Sequence, residues 1–304
     1  MRNREASRTA EFMAVFRTSE HAKAANARAF ADPLAAALLP GNLRLAAKLF
    51  GSRPTAALLN SYIDRRWPGA RTSGIARTRL IDDWIGHAAG EIDQVVLLGA
   101  GFDTRAWRLP ALASAHVFEV DHPNTAAVKQ QRLRSADADL AKVTFVSVDF
   151  EIDDYDELLR AAGFDAKRPA IVVWEGVSQY LTGEAVCGVM RWAGRLAPGS
   201  RFIFTYVHEG VLDGTVAFVG AEKAIAKVDG SGEPWRFGLL PEELPAFLRE
   251  RGLNLLSDLG ADDYRAQVMG AESRHMQGYS FYHTVLAEVP SPAEVPWVAE
   301  VPRA

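Results

Sequence analysis

Residues 95–109 read VVLLGAGFDTRAWRL, and the reading of this stretch decides the fold. A run of branched apolar residues ends at Gly99-Ala100-Gly101, and Thr104 stands where a Gly-x-Gly-x-x-Gly loop would carry its third glycine. A buried strand that opens into glycines lets a ligand approach the backbone at the strand's carboxyl end. The missing glycine leaves open which ligand that is.

Outward from this loop, β-rich runs follow at intervals: HVFEVD, VTFVSVD, AIVVWEG and RFIFTYV, each succeeded by a helix-like stretch or a loop. LNLLSDLG and YSFYHTVLAEV close the series. Strands that are continuously apolar and alternate with amphipathic segments predict a doubly wound, mostly parallel sheet with helices on both faces. From about Ser7 to Ala89 the pattern is helical instead: Phe12, Val15 and Phe16 recur at i, i+3 and i+4, and Pro33, Pro40, Pro54 and Pro68 divide the run. The expected organisation is a helical cap over residues 1–90, a ligand-binding domain over 91–289 with an insertion at about 207–233, and a loosely ordered, proline-rich tail over 290–304.

Composition narrows the partners. The chain has 304 residues, a formal net charge of −4 and no block of Lys or Arg, so the basic footprint of a nucleic-acid binder is absent. No run of eighteen apolar residues or signal-peptide pattern occurs, and the single cysteine, Cys187, has no Cys or His cluster around it. These features predict a cytoplasmic protein without a membrane span, structural disulfide or metal site, acting on small molecules or a peptide end. They leave the oligomeric state open.

The strand tips carry the chemistry. After the glycine loop, the second strand ends at Asp121, 22 residues beyond Gly99, about the interval at which an acidic side chain accepts hydrogen bonds from a ribose diol. The third and fourth strands end at Asp149 and Glu175, and Asp103 lies within the loop itself. Carboxylates suit a pyrophosphate poorly and suit S-adenosylmethionine, with its sulfonium and ammonium groups, well. The expected fold is therefore that of the class I methyltransferases, Rossmann-like and seven-stranded, with an antiparallel last strand. An NAD-dependent oxidoreductase would explain the glycines and Asp121 but not Thr104, Asp103 and Glu175.

The segments SRTAEFMAVFRTSEH, ADPLAAALL, SGIARTRLIDDWI, LLGAGFDTRAWRL, FEVDHP and WEGVSQYLT, in this order, resemble the leucine carboxyl methyltransferase family and its bacterial branch associated with secondary metabolism. The resemblance runs from about Ser7 to Val289. It implies that Arg77 meets the carboxylate of S-adenosylmethionine above Gly99 and Gly101, that Asp121 holds the ribose, that Asp149 and Phe150 face the adenine, and that Glu175 lies by the cofactor's amino group. Without it, Arg77 reads as a solvated arginine on a helix burying Ile75, Ile81 and Trp84, and Asp103 or Thr104 as a helix cap. Arg17 reads as part of a solvated face.

The resemblance implies O-methylation, of a carboxylate in a metabolite or peptide C-terminus or of a phenol or other hydroxyl. A carboxylate is already ionised at neutral pH, whereas a phenol with a pKa near 10 gains from a base. His208, just beyond RFIFTYV, is the candidate base beside Glu175, though an exposed loop histidine is an equally plain reading. Relatives have apolar residues after the glutamate of the fourth strand; here Ser178, Gln179 and Tyr180 follow, and with Tyr206 they are the expected pocket wall. The insertion and the N-terminal helices are the expected lid. A non-catalytic cofactor-binding protein is also compatible with these residues.

Overall fold

The computed structural model describes residues 8–41, 43–45, 53–150, 152–231 and 234–291. Beyond Ser291 the expected tail lies outside the described residues.

Helices α1 (Arg8–His21), α2 (Arg53–Arg66) and α3 (Ala70–Ala88) precede the first strand. The chain then runs through β1 (Gln94–Leu98), α4 (Arg105–Arg108), β2 (His116–Asp121), α5 (Pro123–Arg134), β3 (Val143–Ser147) and α6 (Tyr155–Ala161). It continues through β4 (Ile171–Trp174), α7 (Gly183–Ala193), β5 (Arg201–Val207), α8 (Ala221–Ser231), α9 (Leu244–Arg249), β6 (Asn254–Gly260), α10 (Ala261–Met269) and β7 (Tyr282–Glu288). The seven strands form one sheet in the order β3-β2-β1-β4-β5-β7-β6. Strands β1 to β5 pair in parallel, and β7 runs antiparallel to both β5 and β6. This is the class I methyltransferase sheet, with its reversed last strand.

The period of two along each strand builds two cores. Val96, Leu98, Phe118, Val120, Trp174, Phe202 and Phe204 fill one face, and Val95, Leu97, Val117, Ile171, Val173 and Ile203 the other. Each such side chain contributes roughly 1.5–3 kcal/mol when fully buried. Helix α7 shows how the flanking layer is specified: Thr182 caps it by accepting from the Ala185 amide, and Val186, Val189, Met190 and Ala193 line its buried stripe.

Helix α3 belongs to the same body as the sheet, because Ile81 and Ile85 join the second core. Its other side packs on α10, where Ala76 and Leu80 meet Ala261 and Tyr264, and Ser73 Oγ lies 2.5 Å from Tyr264 Oη. The sequence reading had no helix at α10. Its Asp262 and Asp263 favour a helix start, and Asp263 Oδ2 accepts from the Gly260 amide at 3.1 Å. Among the described residues no helix is long and apolar enough to cross a membrane.

Candidate functional site

The strand order reverses between β1 and β4, which opens a crevice at their carboxyl ends. A cavity of about 910 Å³ occupies it. That is near the top of the roughly 300–1,000 Å³ that holds one drug-sized ligand.

The glycine loop forms the floor. Gly99 (φ 63°) and Gly101 (φ 48°) both take the left-handed conformation. A Cβ on Gly99 would stand 2.4 Å from Val177 Cγ2, so that position is closed to any side chain. The tip of β2 is tied to this loop: Asp121 Oδ2 accepts from the Gly101 amide, and Oδ1 accepts from the His122 amide at 2.6 Å. Burial raises the Asp121 pKa, and those two amides oppose the rise.

A buried arginine network surrounds the loop. Arg77, from α3, donates through Nε to Glu175 Oε1 at 2.8 Å, while its Nη2 has Met13 Sδ at 3.8 Å and its guanidinium lies over the Tyr282 ring. Arg105 reaches Glu175 Oε2 at 2.8 Å, Asp103 Oδ2 at 2.5 Å and Asp82 Oδ1 at 2.7 Å. Arg108 adds a second pair to Asp82, at 2.6 Å. Arg17 is buried rather than solvated: it donates to Asp32 at 2.9 Å and to the Phe102 carbonyl, and Thr104 Oγ1 donates to the same Asp32. Thr104 thus anchors the loop instead of capping α4.

This network corrects the picture of bare carboxylates at the strand tips. Burial by itself would raise the Glu175 pKa, but Arg105 and Arg77 outweigh it and hold the group below the ordinary carboxylate range. Asp103 is likewise held low against burial, by Arg105, Lys129 and Arg108, and its Oδ1 accepts from the Arg105 amide at 2.7 Å. Arg105 is raised, the three carboxylates beside it outweighing its burial. Both acids are anions fixed in place, each shared with a cation.

Arg77, Gly99, Gly101, Asp103, Asp121, Asp149, Phe150 and Glu175 all line the cavity, as do Gln179 and Tyr180. Ser178, Tyr206 and His208 are not among its lining residues. Ser178 turns inward, donating to the Thr205 carbonyl at 2.6 Å. Tyr206 faces the sheet's core and donates to Asp258 Oδ2 at 2.8 Å. His208 Nδ1 accepts from the Gly210 amide at 3.0 Å and caps a short 3-10 turn, so its proton-accepting nitrogen is already engaged.

The far wall brings Tyr62, Ile63 and Trp67 of the N-terminal region and Ala224 and Val228 of α8, all in segments expected as the lid, together with Trp235, Arg236, Tyr279 and Tyr282, which no sequence signal singled out. These residues come from segments far apart in sequence, and no local pattern records that they share a wall.

The residues present fit a phosphate-free cation better than a dinucleotide. The helix after the loop has only four residues, Arg105–Arg108, which gives a pyrophosphate little helix N-terminus to bind. Arg17, Arg105 and Arg108 are committed to carboxylates, and Arg77 is held by Glu175 through Nε only.

The sheet order, the glycine crevice and the acidic residues at its strand tips define a class I methyltransferase fold. The family model for leucine carboxyl methyltransferase matches residues 10–194, and the chain belongs to that family. Two curated relatives bear the name "Putative S-adenosyl-L-methionine-dependent methyltransferase". One, from Frankia alni, is 34% identical over 60% of this chain and 63% of its own length. The other, from Mycolicibacterium gilvum, is 38% identical over 59% of this chain and 56% of its own length. The chain thus spans somewhat more than half the length of these relatives. A crystal structure titled as a putative methyltransferase from Thermobifida fusca superposes with a TM-score of 0.57 at 21% identity, covering 80% of this chain and 92% of that one.

Proposed function

We propose that the protein is an S-adenosylmethionine-dependent O-methyltransferase whose acceptor is a carboxylate. The observation that carries the carboxylate reading is the make-up of the cavity wall. Among the described lining residues the one histidine is His122, which caps α5 beside Asp121, and there is no lysine. A phenol would need its proton removed, whereas a carboxylate arrives as a nucleophile. Methylation of a hydroxyl is the second reading, with no residue in the far wall as its base.

When bound, the cofactor supplies a methyl group already activated on a sulfonium. Arg77 would take the cofactor's carboxylate through its terminal nitrogens, its Nε being held by Glu175. Asp121, whose two oxygens are oriented by the Gly101 and His122 amides, would accept from the ribose hydroxyls. Asp149 and Phe150 would border the adenine, and Glu175 would attract the ammonium group. A carboxylate acceptor would need no proton removed, so no residue of this chain would have to act as a base. The protein's task is then alignment and exclusion of water, and positioning of this kind can contribute roughly 7–11 kcal/mol. The insertion over 207–233 and the helices of residues 1–90 would act as the cover.

The direct test is calorimetry with S-adenosylhomocysteine and NAD in parallel, followed by mass spectrometry for methyl esters. Binding of S-adenosylhomocysteine and ester formation are expected; binding of NAD alone would replace this reading with the oxidoreductase one. Cofactor binding without turnover across carboxylic acids and phenols would favour a non-catalytic role.

A further inference from the structure

The far wall of the cavity holds two polar atoms that nothing among the described residues satisfies. Gln179 is 2% exposed; its Nε2 donates to Tyr282 Oη at 2.9 Å, and its Oε1 has no partner. The indole Nε1 of Trp235 is also buried without a partner. Both residues line the cavity, and the Gln179 carbonyl accepts from the Arg236 amide at 2.6 Å, which ties the two segments together. A buried indole N–H that finds no acceptor in the fold is costly, and a ligand oxygen would relieve it. The glutamine amide can serve either way: turned over, it accepts from Tyr282 Oη through Oε1 and offers its N–H to the ligand.

The far wall is rich in aromatic residues. Tyr62, Trp67, Trp235 and Tyr279 line the cavity beside Arg236, and Phe12 and Tyr62, which line it too, remain 39% and 61% exposed. Large exposed aromatics around a concave site mark a place where an apolar ligand enters.

We propose that Trp235 and Gln179 bind the acceptor's carboxylate, and that the acceptor is a compact aromatic carboxylic acid whose ring packs between Trp67 and Tyr279. This rests on the methyl-transfer reading above and adds the substrate class and the residues that select it. The indole N–H donates to the oxygen that does not react, the glutamine amide donates to the same carboxylate, and the second oxygen is left to face the methyl group. Aromatic rings packed edge to face reward a planar ligand beyond its buried area.

The test uses the full chain saturated with S-adenosylhomocysteine, and measures binding of benzoate, cinnamate, cyclohexanecarboxylate and malate by calorimetry. Ester formation with S-adenosylmethionine is followed for the same acids. Benzoate or cinnamate should bind and be methylated at least tenfold more efficiently than cyclohexanecarboxylate, with malate weakest. Trp235→Phe, which keeps a ring and deletes the N–H, should raise the acceptor KM on the order of tenfold while the affinity for S-adenosylhomocysteine stays at the wild-type level. Gln179→Glu, which sets a negative charge against the carboxylate, should raise KM further, again with S-adenosylhomocysteine binding retained as the control for folding. If S-adenosylhomocysteine binds but malate matches benzoate, no acid binds, or Trp235→Phe leaves KM unchanged, this proposal is overturned alone. If S-adenosylhomocysteine does not bind the wild-type chain, the methyl-transfer reading falls and takes the proposal with it.

Discussion

The two halves of the cavity are built by different means. The half at the strand tips gathers Gly99, Asp121 and Glu175 from consecutive parallel strands, where topology alone brings carboxyl ends together. The other half gathers Tyr62, Trp67, Val228, Trp235, Tyr279 and Tyr282 from segments before the first strand and after the fifth. The family match ends at residue 194, so it spans the first half and leaves out Val228, Trp235, Tyr279 and Tyr282 of the second. A fold can fix where a cofactor goes while leaving the acceptor to the connections around it, which is where loops are free to vary.

If that division holds, variants in the strand-tip half should disturb cofactor binding first. The largest effect is expected from Asp121→Ala, which removes the proposed ribose contact and frees the Gly101 amide. Calorimetry should show S-adenosylhomocysteine affinity reduced about a hundredfold or more, since each hydrogen bond to a charged group is worth roughly 1.5–3 kcal/mol. Retained affinity would break the comparison at its firmest point. Gly99→Ala comes next: the left-handed backbone and the 2.4 Å approach to Val177 predict about 1–3 kcal/mol of lost stability in denaturant unfolding. Pairing it with Val177→Ala should recover the steric part and leave the conformational part.

Arg77→Lys keeps the charge but loses the fork that spans Glu175 and the ligand. A weakening of S-adenosylhomocysteine binding by roughly tenfold is expected, with acceptor KM little changed. An effect on acceptor KM alone would move Arg77 into the other half.

The smallest effect concerns Glu119, buried on β2 and paired with Lys129 of α5 at 2.6 Å. Burial pushes its pKa up to about 7, against the pull of Lys129. The native state therefore binds this proton more tightly than the unfolded chain does, so the associated stability is present below about pH 4.5 and is lost as pH rises to about 7. Replacing the pair together, as Glu119→Gln with Lys129→Met, should flatten that part of the pH profile in thermal unfolding. An unchanged slope would show that the carboxylate is fully compensated by its lysine.

The sequence made the first half readable, and of the second half it marked the covering segments with Gln179 and Tyr180 but not Trp235, Tyr279 or Tyr282. β2 and β5 stand at the bounds their apolar-rich runs suggest, because a strand covered on both faces is mostly apolar, with an exception such as Glu119 held by a partner. The tips were then fixed by topology; Arg77, on α3, came only through the family resemblance, whereas Asp121 and Glu175 could be placed at the cavity before any contact was known. Arg17 and Arg105 could not. Their partners, Asp32 and Asp82, lie 15 and 23 positions away, and no local periodicity records a pairing made by tertiary packing. Tyr206 failed for a simpler reason: at the period of two it shares the face of Phe202 and Phe204 in the core, while Thr205, one residue earlier, lies on the opposite face and accepts from the Gly176 amide. His208 stands just past β5 as a base would, but its ring holds a turn.

The Ser73–Tyr264 contact has a consequence for how such a protein changes its substrate. Helix α3 shares one core with the sheet and another with α10, so this helix is sewn in from both sides. It cannot be traded between relatives as an exchangeable piece, because its removal would strip the cover from two hydrophobic clusters at once. New acceptors would have to be admitted by replacing side chains on a standing wall, one at a time.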